Sequence, residues 1–203
     1  MKPLKKHFII LDVNLQKIEN IITSCKKEDS DPSLQVPVYF FAISKMQLEW
    51  ERFVRHLIYD SSTGLFRNNS GPVRSLKIKF PTNRANVERV LKGMLPRNKQ
   101  RFGPSWIDSK EAIDAAIMLQ LTNASVIAAN LGLTPWYLDD LRKTRNFFSH
   151  LSKESAIELR KTQLGVLKIN DIYSLLFDYS YSSCPNYKFW MDFMRYVGNQ
   201  ITY

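Results

Sequence analysis

Apolar residues recur every three or four positions along most of the chain, which is the spacing of a helix with one buried face. The pattern is clearest over residues 38–60, where apolar side chains fill one face and charged side chains fill the other. Comparable patterns predict further helices over residues 8–27, 84–95, 109–121, 124–131, 134–150, 154–163, 170–181 and 186–200. A strand over residues 8–13 is the weaker alternative for the first segment. The pattern favours an all-α fold, a multi-helix bundle of about five to eight helices.

Residues at the segment ends support several of these boundaries, because short polar side chains cap helix starts and Gly or Pro marks their limits. These signals are the candidate caps Asn83, Asp108 or Ser109, Thr134 and Ser152, the first-turn prolines Pro135 and Pro185, and the stop at Gly132.

Two segments interrupt the helical pattern. Residues 27–37 are polar and contain two prolines, which predicts a break between helices. Residues 61–82 contain turn clusters, and residues 73–80 alternate apolar and basic side chains, which predicts a half-buried strand or an extended arm. We expect one domain over residues 1–203, with a short irregular or extended insertion around 61–82 inside a basic segment at about 61–104.

The same spacing predicts the core. Trp50 and Phe53 are expected to be core aromatic residues, and His56 to be structural or exposed. The segment from Ala112 to Leu121 is apolar almost all round, which predicts a central, buried helix. In the first helix the predicted core face consists of Ile10, Ile18, Ile21, Ile22 and Cys25.

Composition adds a charge argument to this picture. The 203 residues include 29 Lys and Arg against 19 Asp and Glu, a formal net charge of +10. Such a surplus favours a polyanionic partner, since cations that neutralise phosphates release counterions. An acidic membrane surface or an acidic protein is the alternative. The seven Gly residues are few for a many-turn β-sandwich.

The two cysteines, Cys25 and Cys184, are isolated, and no Cys/His cluster with metal-ligand spacing is present in the sequence. We therefore expect no metal and no cofactor. The apolar run near the N-terminus stops at Asp12, too early for a signal peptide, and no stretch has the roughly 20 apolar residues of a membrane span. These features predict a soluble, cytoplasmic protein with no membrane partner.

The densest cationic region combines Arg84, Arg89 and Lys92 with the stretch Pro96–Gly103. Arg97, Lys99 and Arg101 in that stretch are candidates for contact with a phosphate backbone. A solvated loop without a ligand is an equally open interpretation.

The most informative stretch lies in the helix predicted from Pro135 to about His150. At about 100° per residue, Tyr137, Leu141, Phe148 and Leu151 share the predicted core face, and Arg145 lies at its border. Asn146 and His150 are four residues apart and share a polar face. Arg145 and His150 are about 140° apart, so one straight helix does not bring them together. Either the helix ends or distorts near His150, or two copies of it meet around a twofold axis.

The sequence Arg145-Asn146-Phe147-Phe148-Ser149-His150 resembles the Arg-x(4–6)-His motif of HEPN domains, in which a polar residue commonly follows the Arg. The all-α pattern and basic charge are similar as well. The resemblance implies a metal-independent endoribonuclease, a toxin or antiviral-defence effector, that acts as a homodimer with a composite cleft. Ser152 stands where one toxin subgroup, whose motif ends in His-x-Tyr, has its Tyr. An antitoxin or regulatory protein is a further implied partner.

The residue types suit cleavage of RNA through its 2′-OH. An imidazole with a pKa near 6.5 can move protons at neutral pH, and a guanidinium can bind two phosphate oxygens. His150 is thus the candidate acid or base, Arg145 the candidate for charge stabilisation, and Asn146 the candidate for orienting either His150 or a phosphate. Arg142 and Lys143 are candidate RNA-backbone contacts.

Three alternatives remain open from the sequence. A non-catalytic HEPN-like module could hold RNA or a protein on the same basic face. Arg145 and His150 could instead neutralise the helix dipole and bond the last carbonyls of the helix. Residues 124–146 also have the order of a helix-turn-helix, which suggests DNA binding.

Overall fold

The structure is a computed structural model and describes residues 1–27, 32–79, 81–133, 135–162, 164, 172–177 and 184–203. These residues are mostly helical, which confirms the predicted all-α fold. The helices are α1 Lys5–Lys27, α2 Pro32–Ser62, α3 Arg84–Met94, α4 Arg97–Gln100, α5 Ser109–Met118, α6 Ala124–Leu131, α7 Pro135–His150, α8 Lys153–Arg160, α9 Ile172–Phe177 and α10 Asn186–Thr202. Three short strands accompany them: β1 Lys2–Pro3, β2 Phe66–Asn68 and β3 Gly71–Val73.

Most predicted helix starts are confirmed by their caps. The side chain of Asn83 accepts a hydrogen bond from the backbone N–H of Asn86, and Asp108 accepts from the first turn of α5. Ser152 and Ser155 form a reciprocal capping box at α8. Helix α7 begins at Pro135, as predicted, whereas the proposed cap Thr134 lies outside the described residues, as does part of the helix predicted over 170–181.

Gly132 does end α6, although its backbone is not left-handed, with φ −78°. A Cβ at Gly132 would lie 2.8 Å from the carbonyl oxygen of Ala128. The position therefore suits Gly because of a close backbone approach.

The predicted break over residues 27–37 is wrong for its second half. Helix α2 begins at Pro32 and contains Pro37. An interior Pro costs about 3 kcal/mol because it removes one helical hydrogen bond. Burial of the apolar face that follows, including Tyr39, Ile43 and Met46, offsets this cost.

The strand predicted over residues 73–80 is shorter in the structure: β3 ends at Val73, and beyond it Ser75 forms an isolated antiparallel bridge with Leu121. The hydroxyl of Ser75 accepts hydrogen bonds from the N–H groups of Lys77 and Ile78 and donates to the carbonyl of Leu119. These bonds fold the segment into a turn and direct Leu76 into solvent, 63% exposed. Phe80 lies outside the described residues.

Contacts within the chain define two compact units. Unit 1 comprises residues 1–11, 50–135 and 196–203, and unit 2 comprises residues 12–49 and 136–195. The expectation of a single domain over residues 1–203 stays a prediction. The predicted basic insertion at 61–104 lies in unit 1 and contains β2, β3, α3 and α4.

Unit 1 has a helical core next to a small sheet. Strand β2 pairs in parallel with β1 and antiparallel with β3. Trp50 and Phe53 are buried, as predicted. Helix α5 buries Ala112, Ala115 and Ala116 but exposes Ile117. The prediction of a central, buried helix therefore holds for one side of α5 only.

The core face predicted for the first helix is partly wrong. Ile18 and Ile22 are buried, but Ile10 and Ile21 are exposed. The buried stripe instead runs through Leu11, Leu15, Ile18 and Ile22. Successive members are four, three and four residues apart, which places them on one helical face.

A buried carboxylate links three helices of unit 1. Asp60 of α2 accepts hydrogen bonds from Arg84 Nε at 2.6 Å and Nη2 at 2.8 Å, and lies 2.8 Å from His7 Nε2. Burial alone would raise the pKa of Asp60, but the hydrogen bonds from Arg84 and His7 outweigh burial and hold this pKa far below its usual range. Nearby, burial and the charge of Arg84 lower the pKa of half-buried His56 to about 4. Asp60 is therefore the ionised centre of this cluster.

Unit 2 contains the helices that surround α7. Arg195 donates to Asp12 at 2.9 Å and to Glu19 at 3.0 Å, which ties α10 to α1. Tyr137 of α7 packs edge-to-face on Phe189 and Phe193 of α10, with ring centroids 4.7 and 5.2 Å apart. The N-terminal half of α7 is thereby anchored on α10.

Over the residues that the structure describes, no helix combines the length and the apolar character that crossing a membrane requires.

Replacing the carboxylate at the centre of the buried cluster should destabilise unit 1. Asp60→Asn leaves Arg84 without its anion, so the free energy of unfolding in urea should fall by about 3 kcal/mol. Glu88→Gln is the matched control, because Glu88 forms a partly exposed ion pair with Lys92, and it should change stability by less than about 1 kcal/mol. An Asp60→Asn protein that unfolds at the wild-type urea concentration would contradict this assignment.

Candidate active site

Helix α7 ends at His150, as predicted, and the backbone shows why. Leu151 has φ +45°, in the left-handed region that a non-Gly residue adopts at a cost of about 1 kcal/mol. Its N–H still bonds to the carbonyl of Phe147 at 2.8 Å. Ser152 then returns to extended backbone and caps α8. This tight turn places exposed His150 at the rim between α7 and α8.

The core face of α7 differs from the predicted one at its C-terminal end. Leu138, Leu141 and Thr144 are buried, and the Thr144 hydroxyl donates to the carbonyl of Asp140 at 2.7 Å. Leu151 was expected in the core but is 72% exposed, because its left-handed backbone turns it away from the helix face.

Tyr137 and Phe148, which complete the predicted face, are half-buried. Arg145 is half-buried too, which fits its predicted position at the border of the core face. Its guanidinium Nη1 donates to Oδ1 of the next residue, Asn146, at 3.1 Å.

A groove of about 280 Å³ runs between α7 and α8. The described residues that line it are Arg142, Lys143, Asn146, His150, Ser152, Glu154, Ser155 and Glu158. Arg145 is not one of them. The groove thus brings His150 and Asn146 together with Arg142 and Lys143, while Arg145 reaches the site through its hydrogen bond to Asn146.

The cations of the groove are not free charges. Arg142 hydrogen-bonds to Asp139, and Lys143 Nζ lies 2.7 Å from the other oxygen of the same carboxylate. Burial would raise the pKa of Asp139, but the bonds from Lys143 and Arg142 outweigh it and lower this pKa. Glu154 and Glu158 add two carboxylates to the groove lining. One chain therefore presents a groove of mixed charge.

The remaining predicted phosphate contacts lie in unit 1, whereas α7 lies in unit 2. The stretch predicted as a loop contains the short helix α4, with Arg97 and Lys99 on it and Arg101 directly after it. Lys99 Nζ forms an ion pair of 2.6 Å with Glu111. Arg97 and Arg101 are exposed.

Sequence reasoning missed the role of Asp139 and the contribution of α8 to the groove. The signal for Asp139 was present, because it precedes Arg142 by three residues and Lys143 by four, the spacings at which helical side chains meet. No local signal indicated that Glu154, Ser155 and Glu158 would face α7, since this depends on the turn at Leu151.

In the described ranges, no three His, Cys, Asp or Glu side chains come close enough to hold a metal ion.

Comparison of the chain with protein-family models, with curated proteins and with solved structures found no match. The resemblance to HEPN domains accordingly depends on the motif from Arg145 to His150 and on its placement at the end of α7.

Removing the anion that pairs with the groove cations should strengthen polyanion binding. Asp139→Asn releases Arg142 and Lys143, so the affinity for a labelled RNA should rise and its salt dependence should steepen by about 0.7 for each released cation. Fluorescence anisotropy at several salt concentrations measures both quantities. Asp192→Asn, which removes an exposed partner of Arg195, should leave both unchanged. Affinity that is unchanged or lower in Asp139→Asn would show that the groove does not face the RNA.

Proposed function

We propose that this protein is a metal-independent endoribonuclease that cleaves RNA by attack of a 2′-OH on the adjacent phosphate. One observation carries the proposal: Asn146 connects the two motif residues. Its side chain lines the groove of His150, and its Oδ1 accepts the hydrogen bond from Arg145. The Asn146 amide thus accepts a hydrogen bond from the guanidinium of Arg145 and lies in the same groove as the exposed imidazole of His150.

The chemistry assigns a role to each of these side chains. His150 removes the proton from the 2′-OH or protonates the departing 5′-oxygen, since an imidazole titrates near neutral pH. Arg145 binds the phosphate oxygens, whose negative charge increases in the transition state. Asn146 positions Arg145 and contacts the phosphate. The products are a 2′,3′-cyclic phosphate and a 5′-OH.

The proposed active form is a homodimer. Arg145 does not line the groove of its own chain, and Arg142, which does line it, is paired with Asp139. A phosphate beside His150 therefore needs another guanidinium. Arg145 of a second copy can supply it if two α7 helices meet around a twofold axis. This arrangement also brings an Arg145 and a His150 together, although the two residues of one helix lie about 140° apart around its axis.

The biological role that fits such an enzyme is that of a cytoplasmic toxin or antiviral-defence effector. An unrestrained ribonuclease damages its own cell, so an antitoxin or regulatory protein is the corresponding partner.

A non-catalytic RNA- or protein-binding module is the second candidate, and the groove charges favour it. Asp139 pairs with both Arg142 and Lys143, and two glutamates line the same groove. His150 also lies at the C-terminal end of α7, where a cation interacts favourably with the helix dipole. This alternative predicts salt-sensitive binding without any cleavage.

The enzymatic proposal is tested with purified protein and a structured RNA in the presence of EDTA. Wild-type protein should give fragments with 2′,3′-cyclic phosphate ends. His150→Ala and Arg145→Ala should each lower the cleavage rate by at least about 100-fold, because each removes a group that acts in the transition state. Arg145→Lys should be nearly as slow, since an ammonium does not replace the two-pronged guanidinium.

Arg160→Gln is the matched control, because Arg160 is exposed on α8 and does not line the groove. It should cleave at the wild-type rate, and all variants should melt at similar temperatures. If His150→Ala cleaves as fast as wild type, the proposal is wrong. If the wild-type protein binds RNA but does not cleave it, the binding-module candidate is supported.

A further inference from the structure

The positive charge of this chain is concentrated in one segment. Residues 61–104 contain ten Lys and Arg residues and a single acidic residue, Glu88, which gives them a net charge of +9 within a chain of net charge +10. The segment lies entirely in unit 1, whereas α7 lies in unit 2. The main electrostatic attraction for a polyanion is therefore located on unit 1.

Ion pairs occupy several cations of this segment. Arg84 pairs with Asp60, Lys92 pairs with Glu88 at 2.7 Å, and Lys99 pairs with Glu111 at 2.6 Å. By contrast, Arg97 and Arg101 are exposed and have no acidic partner in the described part of the chain. The cations that can contact a ligand thus include Arg97 at the start of α4 and Arg101 directly after its end.

An exposed aromatic ring lies beside one of these two cations, Arg101. Phe102 is 77% exposed, more than any other large hydrophobic side chain among the described residues. The guanidinium carbon of Arg101 lies over its ring, 5.2 Å from the centroid. The ring is therefore accessible to a ligand and lies next to a positive charge.

The backbone holds this ring in a defined place. The N–H groups of Phe102 and Gly103 both bond to the carbonyl of Lys99, at 3.2 and 2.8 Å, and Gly103 adopts a left-handed φ of +81°. Glu111 of α5 accepts from both Lys99 Nζ and the N–H of Ser105, so it fastens both sides of the turn. Lys99, whose predicted contact with phosphate stays a prediction, also positions the turn that displays Phe102.

We propose that Phe102, Arg101 and Arg97 form a platform for single-stranded RNA. An unpaired base stacks on the ring of Phe102, and the guanidinium groups of Arg97 and Arg101 contact the flanking phosphates. Aromatic rings flanked by cations bind single strands in this way because every base has a π-face and every linkage a negative charge. A paired helix buries its base faces and cannot use the ring, so the platform selects RNA with unpaired bases.

The choice of RNA as the ligand rests on the proposed ribonuclease function, but the test does not require cleavage. A fluorescent 2′-O-methyl oligoribonucleotide of about 12 unpaired nucleotides, roughly the span of one such surface, lacks the 2′-OH nucleophile. Its binding to the full chain is measured by anisotropy. A 2′-O-methyl hairpin of the same length, fully paired in its stem, is the comparison ligand.

Phe102→Leu keeps an apolar side chain but removes the stacking surface, so affinity for the unpaired strand should fall about tenfold. Phe102→Tyr should bind like wild type, and affinity for the hairpin should stay within about twofold. The control Tyr196→Leu removes another exposed ring, 56% exposed on α10, and should leave binding unchanged. Arg97→Gln and Arg101→Gln should each lower the salt dependence by about 0.7.

The platform is refuted if Phe102→Leu binds the unpaired strand as tightly as wild type does, or if it loses affinity for the hairpin to the same extent. A changed oligomeric state in Phe102→Leu would also refute the platform, because it would make Phe102 a subunit contact. If the chain binds the unpaired strand through Phe102 but cleaves no RNA, only the proposed ribonuclease function is refuted. If the chain cleaves RNA but its binding does not depend on Phe102, only the platform is refuted.

Discussion

The end of helix α7 is the constraint on which the candidate site depends. Leu151 leaves the helix through a left-handed backbone, and Ser152 immediately caps α8. The two helices are therefore joined by only two residues, and their facing sides form the groove that contains His150. Had α7 continued for another turn, His150 would have been one more polar residue on a helix side. The small strain at Leu151 creates an exposed imidazole at a helix end, next to Asn146.

Ion pairing decides which of the many cations can act on a ligand. Asp60, Glu111 and Asp139 each hold between one and three basic side chains in place. A count of Lys and Arg thus overstates the charge available to RNA. In the proposed function, Phe102 and the exposed cations of unit 1 bind a single strand, and the groove of α7 carries out the cleavage.

Local chemistry made much of the fold predictable, and long-range packing set the limit. Asn83, Asp108 and Ser152 mark helix starts because their side chains satisfy backbone groups a few residues away. Ile10 and Leu11 are adjacent apolar residues of one helix, and the packing of the surrounding helices determines which of the two is buried. The pair of Lys99 with Glu111 spans twelve residues and depends on how α4 meets α5. The motif from Arg145 to His150 was visible in the sequence, whereas the groove lining from α8 was not.

The most direct test of the central claim is activity of a mixed dimer. Differently tagged Arg145→Ala and His150→Ala chains are co-expressed, purified as the heterodimer and assayed for RNA cleavage in EDTA. If each site combines Arg145 of one chain with His150 of the other, one of the two sites is intact, and about half of the wild-type activity returns. A heterodimer as inactive as the two single variants would contradict the composite site.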